Sequence, residues 1–385
     1  MSVLASGSYG CVYKVPGLPC ETNKKVNSKH QGATLLTKMV VRSQMQPEID
    51  AATRLSAIDP EQIYTIYALL DTICTPTKAQ LDTCEVVRQY VSNPTRAAMY
   101  NLHAGNVTYY HFLSQNVANY PQMAIVFIQH AIHLFEGLSI MHANKFYHLD
   151  IQDKNIILGT FSDSTLRPRF IDFGISFDAT KYPSFDEAND RWLRHADHPY
   201  GYAPPENQIL IDAGNLFQYD LWVNSTAAGE AIPEHLINRF ATWFREALVQ
   251  YGRGPVAPWL YVYPEDFTYS AKFVFETLPE VQKKQNTAYL HDMFQHMDVY
   301  MLSAVFVRAM KSIKDQYDFS KQFWEILKKG VDPEYQFRPT ASQMKELLQS
   351  IRFPRAIITT LDQVPETSDL PFLTTVRGSQ FSVIN

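Results

Sequence analysis

The sequence predicts an α+β fold in two lobes, a small β-rich lobe followed by a larger helical one. Three observations carry this. Short runs of strand-forming residues separated by turn-prone ones fill residues 1 to about 100. A long apolar stretch with helical spacing runs from Pro121 to Asn144, and further helical patterns follow at 233–250, 297–312 and 340–351.

The first lobe opens with "LASGSYGCVYKV", residues 4–15, in which residues 2–6 and 11–15 are expected to pair as a hairpin around Ser6, Gly7, Ser8, Tyr9 and Gly10. The runs "ATLLTKMVV" (33–41), "IYTIYALL" (63–70) and "CEVVRQYV" (84–91) read as further strands. Between them "PEIDAATRLSAI" (47–58) reads as a helix opened by Pro47, whose fixed φ suits a first turn. In 121–144, Ile128, Ile132, Phe135 and Leu138 recur at helical spacing among other apolar residues, the pattern of a buried helix. Leu236, Phe240, Phe244 and Leu248 form one apolar stripe in 233–250. The expected division is 1–104 for the first lobe, 105–352 for the second and 353–385 for a C-terminal tail.

Composition narrows the function classes. With 385 residues, 46% hydrophobic and 19% charged, the chain has ample material for a core. A net charge of -5 argues against a general polyanion-binding surface, so no nucleic-acid partner is expected. No uncharged apolar run reaches the roughly eighteen residues of a membrane span. The start "MSVLASGS" lacks the basic segment and apolar run of a secretory signal. Cys11, Cys20, Cys74 and Cys84 show no CxxC spacing, so the expectation is a reduced chain in the cytoplasm, with Cys11 a small apolar filler.

The chemistry rests on a few charged residues. Gly7 and Gly10 let backbone amides approach a phosphate, although a plain turn needs the same residues. Lys38, at the centre of a strand-like run, needs an anion, and Glu48 in the next helix supplies one. In "FYHLDIQDKNIIL", Asp150 and Asn155 flank a tight loop, and in "RFIDFGIS" Asp172 follows a strand. Two carboxylates and an amide oxygen on neighbouring loops suit Mg²⁺, and Lys38, Mg²⁺ and backbone amides together would neutralise a triphosphate. Plainer readings stand beside these: a structural Lys38–Glu48 pair, Asp150 as a turn cap, His148 as a packed core histidine.

In this order the residues resemble the protein kinase family, over residues 4 to about 350. "LASGSYGCVYKV" resembles the glycine-rich loop, with Ala5 for its first glycine, Ser6, Gly7, Ser8, Tyr9 and Gly10 around the phosphates, and Val12 covering the adenine. "LLTK" resembles the strand motif whose lysine, here Lys38, holds the α- and β-phosphates, with Glu48 as its partner. "HLDIQDKN" resembles the catalytic loop, implying Asp150 as the base and Asn155 as a Mg²⁺ ligand; "DFG" implies Asp172 as the main Mg²⁺ ligand. "YAPPE" with Glu206, "DVYMLS" with Asp298 and "FRPTASQM" with Arg338 resemble structural motifs of the helical lobe, Asp298 bracing the catalytic loop and Arg338 pairing with Glu206. The resemblance implies a bilobal fold that binds ATP and Mg²⁺ between lobes, with the base near residues 100–105, and phosphorylates a protein substrate.

Departures from the pattern shape the expectation. Leu149 replaces the arginine before the catalytic aspartate, so no phosphorylated-loop clamp is expected. Gln152 stands where serine/threonine kinases place a lysine, and Lys154 occupies the place where many tyrosine kinases carry an arginine; it is the candidate for the missing catalytic charge. Pro199 replaces a threonine of serine/threonine kinases. The insertion 207–296 is far longer than the family pattern and is a candidate docking site for substrate or partner, with extra packing on the helical lobe as the plainer reading. Together these features resemble the divergent serine/threonine kinases of large cytoplasmic DNA viruses, the poxvirus virion-kinase type included, which implies host cytoplasm or virion. The alternative is a pseudokinase, a nucleotide-binding scaffold without turnover.

Overall fold

The computed structural model of the chain describes residues 3–6, 10–13, 35–103, 105, 107–114, 123–160, 166–184, 187, 202, 204, 287–332, 335–354 and 383–384. Its architecture is mixed α+β, with a β-sheet region at the N-terminus and helices in the C-terminal part.

The N-terminal sheet is antiparallel and contains β1 (Val3–Ser6), β2 (Gly10–Tyr13), β3 (Leu35–Val41), β4 (Leu69–Cys74) and β5 (Ala97–His103), in the spatial order β1-β2-β3-β5-β4. The expected hairpin forms, with Ser6 opposite Cys11 and Ala5 opposite Val12. On β3, Lys38 lies between Val12 on one side and Tyr100 on the other. Side chains alternate across a sheet. Lys38 and Val40 therefore share a face with Ala98 and Tyr100, while Met39 and Val41 share the other with Ala97 and Met99. The first face is covered by α1 (Gln46–Ile58), which has Pro47 in its first turn and buries Ala51, Ala52 and Leu55. At Gly10 a Cβ would sit 2.4 Å from the Met39 carbonyl oxygen, so close strand approach excludes any side chain there.

The second face corrects two expectations. "CEVVRQYV" is not a strand: residues Glu85–Tyr90 form the helix α3, after a short α2 (Lys78–Leu81). Val86, Val87 and Tyr90 favour a strand, but Val87 is buried in a core with Cys11, Tyr13, Met39 and Leu81, and Glu85 and Arg88 complement the helix ends. Nor are the described thiols reduced. Cys11 and Cys84 form a disulfide across that core, with Cα atoms 5.9 Å apart, Cys74 is also disulfide-bonded, and no described cysteine is free. Cys11 is thus a crosslink and not a filler. "IYTIYALL" contributes mostly loop, joined through a single bridge from Thr65 to Phe170 before β4 begins at Leu69.

The helical part is built on α5 (Met123–Ala143), in which Ala124, Ile125, Ile128, Leu134 and Leu138 are all fully buried. Its length and mean hydropathy of 1.5 also match a membrane span, and 67% of that window is packed inside the fold. Two helices lie against it, α6 (Thr287–Met310) and α8 (Ala341–Gln349); α7 (Asp318–Gly330) packs on α6, with the Phe323 ring against Phe306. A capping box between Thr340 and Gln343 starts α8.

Small strands connect the two parts: β6 (Val107–Thr108), β7 (Phe146–Tyr147), β8 (Ile156–Thr160), β9 (Leu166–Phe170) and β10 (Phe177–Asp178), followed near the C-terminus by β11 (Phe353–Pro354) paired with β12 (Val383–Ile384). A helix α4 (Tyr109–Ser114) follows β6. The β8–β9 hairpin pairs Ile156 with Phe170 and so brings the loop before β8 next to the loop after β9. The stripe at 236–248, Pro199, Glu206 and residues 207–286 lie outside the described residues; residues 287–296 of the expected insertion begin α6.

Candidate active site

The sheet, α1 and the loop after β9 meet at Lys38. Its Nζ lies 2.7 Å from Glu48 Oε1 and 3.4 Å from Asp172 Oδ1. Strand alternation turns Lys38 toward α1, and Glu48 in the first turn of that helix benefits from the positive end of its dipole. The Tyr100 hydroxyl, directly across the sheet from Lys38, donates to the other Glu48 oxygen. Burial opposes the Lys38 ammonium, yet the charges of Asp172 and Glu48 outweigh it and raise its pKa, so the cation is held firmly. Burial pushes the Glu48 carboxyl up, against the pull of Lys38. The 2.7 Å contact is that of a charge-assisted bond, and an ionised pair accounts for it.

The second group sits on residues 148–155, which end in a 3-10 turn at Asp153–Asn155. Asn155 Nδ2 donates to Asp150 Oδ2 at 2.8 Å and to the Asp150 carbonyl at 2.9 Å, and Gln152 Nε2 donates to Asp150 Oδ1 at 3.1 Å. Both carboxylate oxygens of Asp150 are thereby oriented by amides. The start of the loop is braced by the fully buried Asp298 of α6, which accepts from the backbone N–H groups of His148 and Leu149, each at 2.8 Å, and contacts His142 Nε2 at 3.0 Å.

His148 joins the two groups. Its Nδ1 accepts from the Asp150 N–H at 3.3 Å and its Nε2 meets the Ile171 carbonyl at 3.1 Å, an arrangement that fits the neutral Nε2–H tautomer. Burial lowers its pKa, which agrees with a packed, uncharged histidine. Asn155 and Asp172 are linked through Ile171, whose N–H donates to the Asn155 carbonyl at 3.0 Å. Leu149 and Asp172 both adopt left-handed backbone, with φ of 59° and 64°. Such conformations are costly for residues other than glycine and gather at functional sites.

The expected residues therefore assemble as two adjoining sets, Lys38 with Glu48 and Asp172, and Asp150 with Asn155. Ala5, Ser6, Gly10 and Val12 lie in the hairpin, Val12 directly beside Lys38; Gly7, Ser8 and Tyr9 are outside the described residues. Lys154 is exposed on the Asp153–Asn155 turn, its Nζ 5.5 Å from the centre of the Tyr110 ring, and Gln152 is the residue that touches Asp150. Arg338 donates to the Asp332 and His296 carbonyls and lies 4.7 Å over the Tyr300 ring; a contact with Glu206 is outside the described residues.

Tyr100, Arg308, Tyr202 and Asp153 were not visible as site residues in the sequence. The last three form a cluster beside the loop, with Arg308 Nη1 donating to Asp153 Oδ2 at 2.6 Å. The donor set of one carboxylate and one amide at Asp172 and Asn155 fits a Mg²⁺ that keeps water and phosphate oxygens as its other ligands. Among the described residues no cluster of three or more His, Cys, Asp or Glu side chains could enclose a metal alone. No protein-family model matches the chain, and no curated protein matches its sequence.

Proposed function

We propose that this protein is an ATP-dependent protein kinase with a bilobal fold, transferring the γ-phosphate to protein hydroxyls, serine or threonine in preference to tyrosine. The observation that carries the reading is the junction at Lys38. One cation from β3 meets carboxylates from α1 and from the loop after β9, and Ile171, the residue before Asp172, donates its N–H to Asn155, which in turn holds Asp150. A structural ion pair needs one carboxylate; the second, Asp172, is half-exposed and available to other partners.

In this reading ATP lies between the hairpin and the Asp150 loop, with its base near residues 100–105. Lys38 takes the α- and β-phosphates and Glu48 fixes its position. Asn155 and Asp172 are the residues that would hold Mg²⁺, which when bound supplies charge neutralisation at the phosphates. Asp150, oriented by Asn155 and Gln152, aligns the substrate hydroxyl and accepts its proton as the oxygen bonds to the γ-phosphorus. The bond between that phosphorus and the β–γ bridging oxygen breaks, and ADP leaves. Most of the acceleration comes from positioning and charge neutralisation. Of the two expected locations, the Cys11–Cys84 disulfide favours the virion, since cytosolic thiols are kept reduced.

The test is transfer of labelled γ-phosphate by the purified chain to itself and to acidic and basic proteins, with Asp150→Asn beside it. Transfer by the native chain that drops at least about 100-fold in Asp150→Asn is expected for loss of a general base. Mg-ATP binding without transfer would establish the scaffold reading in its place.

A further inference from the structure

The cluster at Asp153 lies outside the chemistry just described. The Asp153 carboxylate is almost fully buried, and its Oδ2 receives two donors, Arg308 Nη1 at 2.6 Å and the Tyr202 hydroxyl at 2.8 Å. Arg308 Nη1 also donates to the Tyr202 hydroxyl at 2.7 Å, so the three polar atoms close a triangle. Three distant parts of the chain meet there: the turn that ends in Asn155, the last turns of α6, and Tyr202. Tyr202 is itself buried, and burial together with the Asp153 charge raises its pKa, which keeps the hydroxyl a donor.

The placement matters because of what Asp153 adjoins. It stands three residues after Asp150 and two before Asn155, in a turn closed by the Asn155 N–H bond to the Gln152 carbonyl at 2.9 Å. Moving Asp153 moves Asn155, and Asn155 holds Asp150. On α6, Asp298 grips the start of the loop and Arg308 grips its end; ten residues separate them, about 15 Å along a helix axis. A buried carboxylate with two short donors is well fixed, whereas one deprived of its cation is strongly destabilised.

We propose that the Asp153–Arg308–Tyr202 triangle is a positioning device that fixes the Asp150–Asn155 geometry. The role rests on the kinase reading. Asp153, Arg308 and Tyr202 act through Asp150 and Asn155, not on the transferred group.

The informative variant is Tyr202→Phe, which removes one hydroxyl and no volume of consequence; Arg308→Lys keeps the charge with a single contact, and Arg308→Met removes it. The full chain is used throughout. Tyr202→Phe is expected to lower kcat about tenfold, since an ångström-scale misplacement costs about 100-fold, while the Mg-ATP dissociation constant stays within about twofold. Arg308→Lys should fall between wild type and Arg308→Met, and Tyr202→Phe should add little in the Arg308→Met background, as expected for residues acting as one unit. Unchanged kcat in Tyr202→Phe and Arg308→Lys overturns the proposal. If the wild-type chain binds Mg-ATP and transfers nothing, the kinase reading fails by itself. Amide exchange over residues 150–156 then decides the positioning role: faster exchange in Tyr202→Phe sustains it, and identical exchange overturns it.

Discussion

Replacing Asp298 tests whether the loop geometry is imposed from α6. Its carboxylate is fully buried and serves two backbone N–H groups at 2.8 Å and His142 Nε2 at 3.0 Å. Asp298→Ala orphans these donors. A buried donor without a partner costs about 1–3 kcal/mol, so the two backbone groups alone cost about 2–6 kcal/mol. Leu149 adds to this, because its left-handed φ of 59° is supported by one of those bonds and is unfavourable for a bulky residue. A central loss of about 4 kcal/mol is a large share of a native stability of about 5–15 kcal/mol. At about 2–4 °C per kcal/mol for a domain of about 150–250 residues, the melting temperature falls by ~10 °C. Asp298→Asn keeps one acceptor and turns an NH₂ group toward the other N–H, so about half the loss is expected. The assay is thermal melting with amide exchange at His148 and Leu149. A shift below about 2 °C in Asp298→Ala, with both amides still protected, would refute the reasoning.

Three further outcomes follow from other contacts. Lys38→Met leaves Glu48 and Asp172 without their shared cation and should weaken Mg-ATP binding at least about tenfold, ~1.4 kcal/mol, in a titration; unchanged affinity contradicts the phosphate role. The Cys11–Cys84 disulfide spans 73 residues, so Cys84→Ser or thiol reductant should destabilise the β-rich part by about 4 kcal/mol on the loop-closure account; coincident melts with and without reductant count against it. Burial lowers the pKa of His130 to about 3 in the folded chain, against about 6.5 unfolded, so the unfolded chain takes up the proton first as pH falls. The stability this histidine contributes is complete above about pH 6.5 and is lost below it at about 1.4 kcal/mol per pH unit. His133, lowered to about 4 by burial, acts in the same sense. The stability lost between pH 7 and pH 5 in urea denaturation should shrink by about 2 kcal/mol in His130→Asn; an unaltered loss is the contrary result.

The residues at Lys38 were legible because each carries its own local signal. A cation inside a strand-like run, an acid in the first turn of the following helix and two polar loops bounded by apolar strands are all short-range patterns. The β8–β9 hairpin supplies the rest, since pairing Ile156 with Phe170 automatically places Asn155 against Ile171. β5 was missed for the opposite reason. "AAMYNLH" contains no β-branched residue, and it is a strand because β3 and β4 flank it on both sides. "CEVVRQYV" misled in the other direction, as its β-forming residues are overruled by the burial of Val87 and the crosslink at Cys84.

Other features stayed hidden because they are long-range contacts whose partners are far apart in sequence. Asp153 and Arg308 are 155 residues apart, and Cys11 and Cys84 are 73 apart. Neither spacing carries information, because a side chain's burial is decided by the packing of whole elements. The groups that would contact a ligand, Lys38, Asn155 and Asp172, lie within short patterns that neighbouring residues in the sequence already mark. The groups that hold the loops around them are buried, where the packing of whole elements decides. Substituting the half-exposed Asp172 should therefore change binding and turnover with a small effect on melting, and substituting Asp298 or Asp153 should change both together.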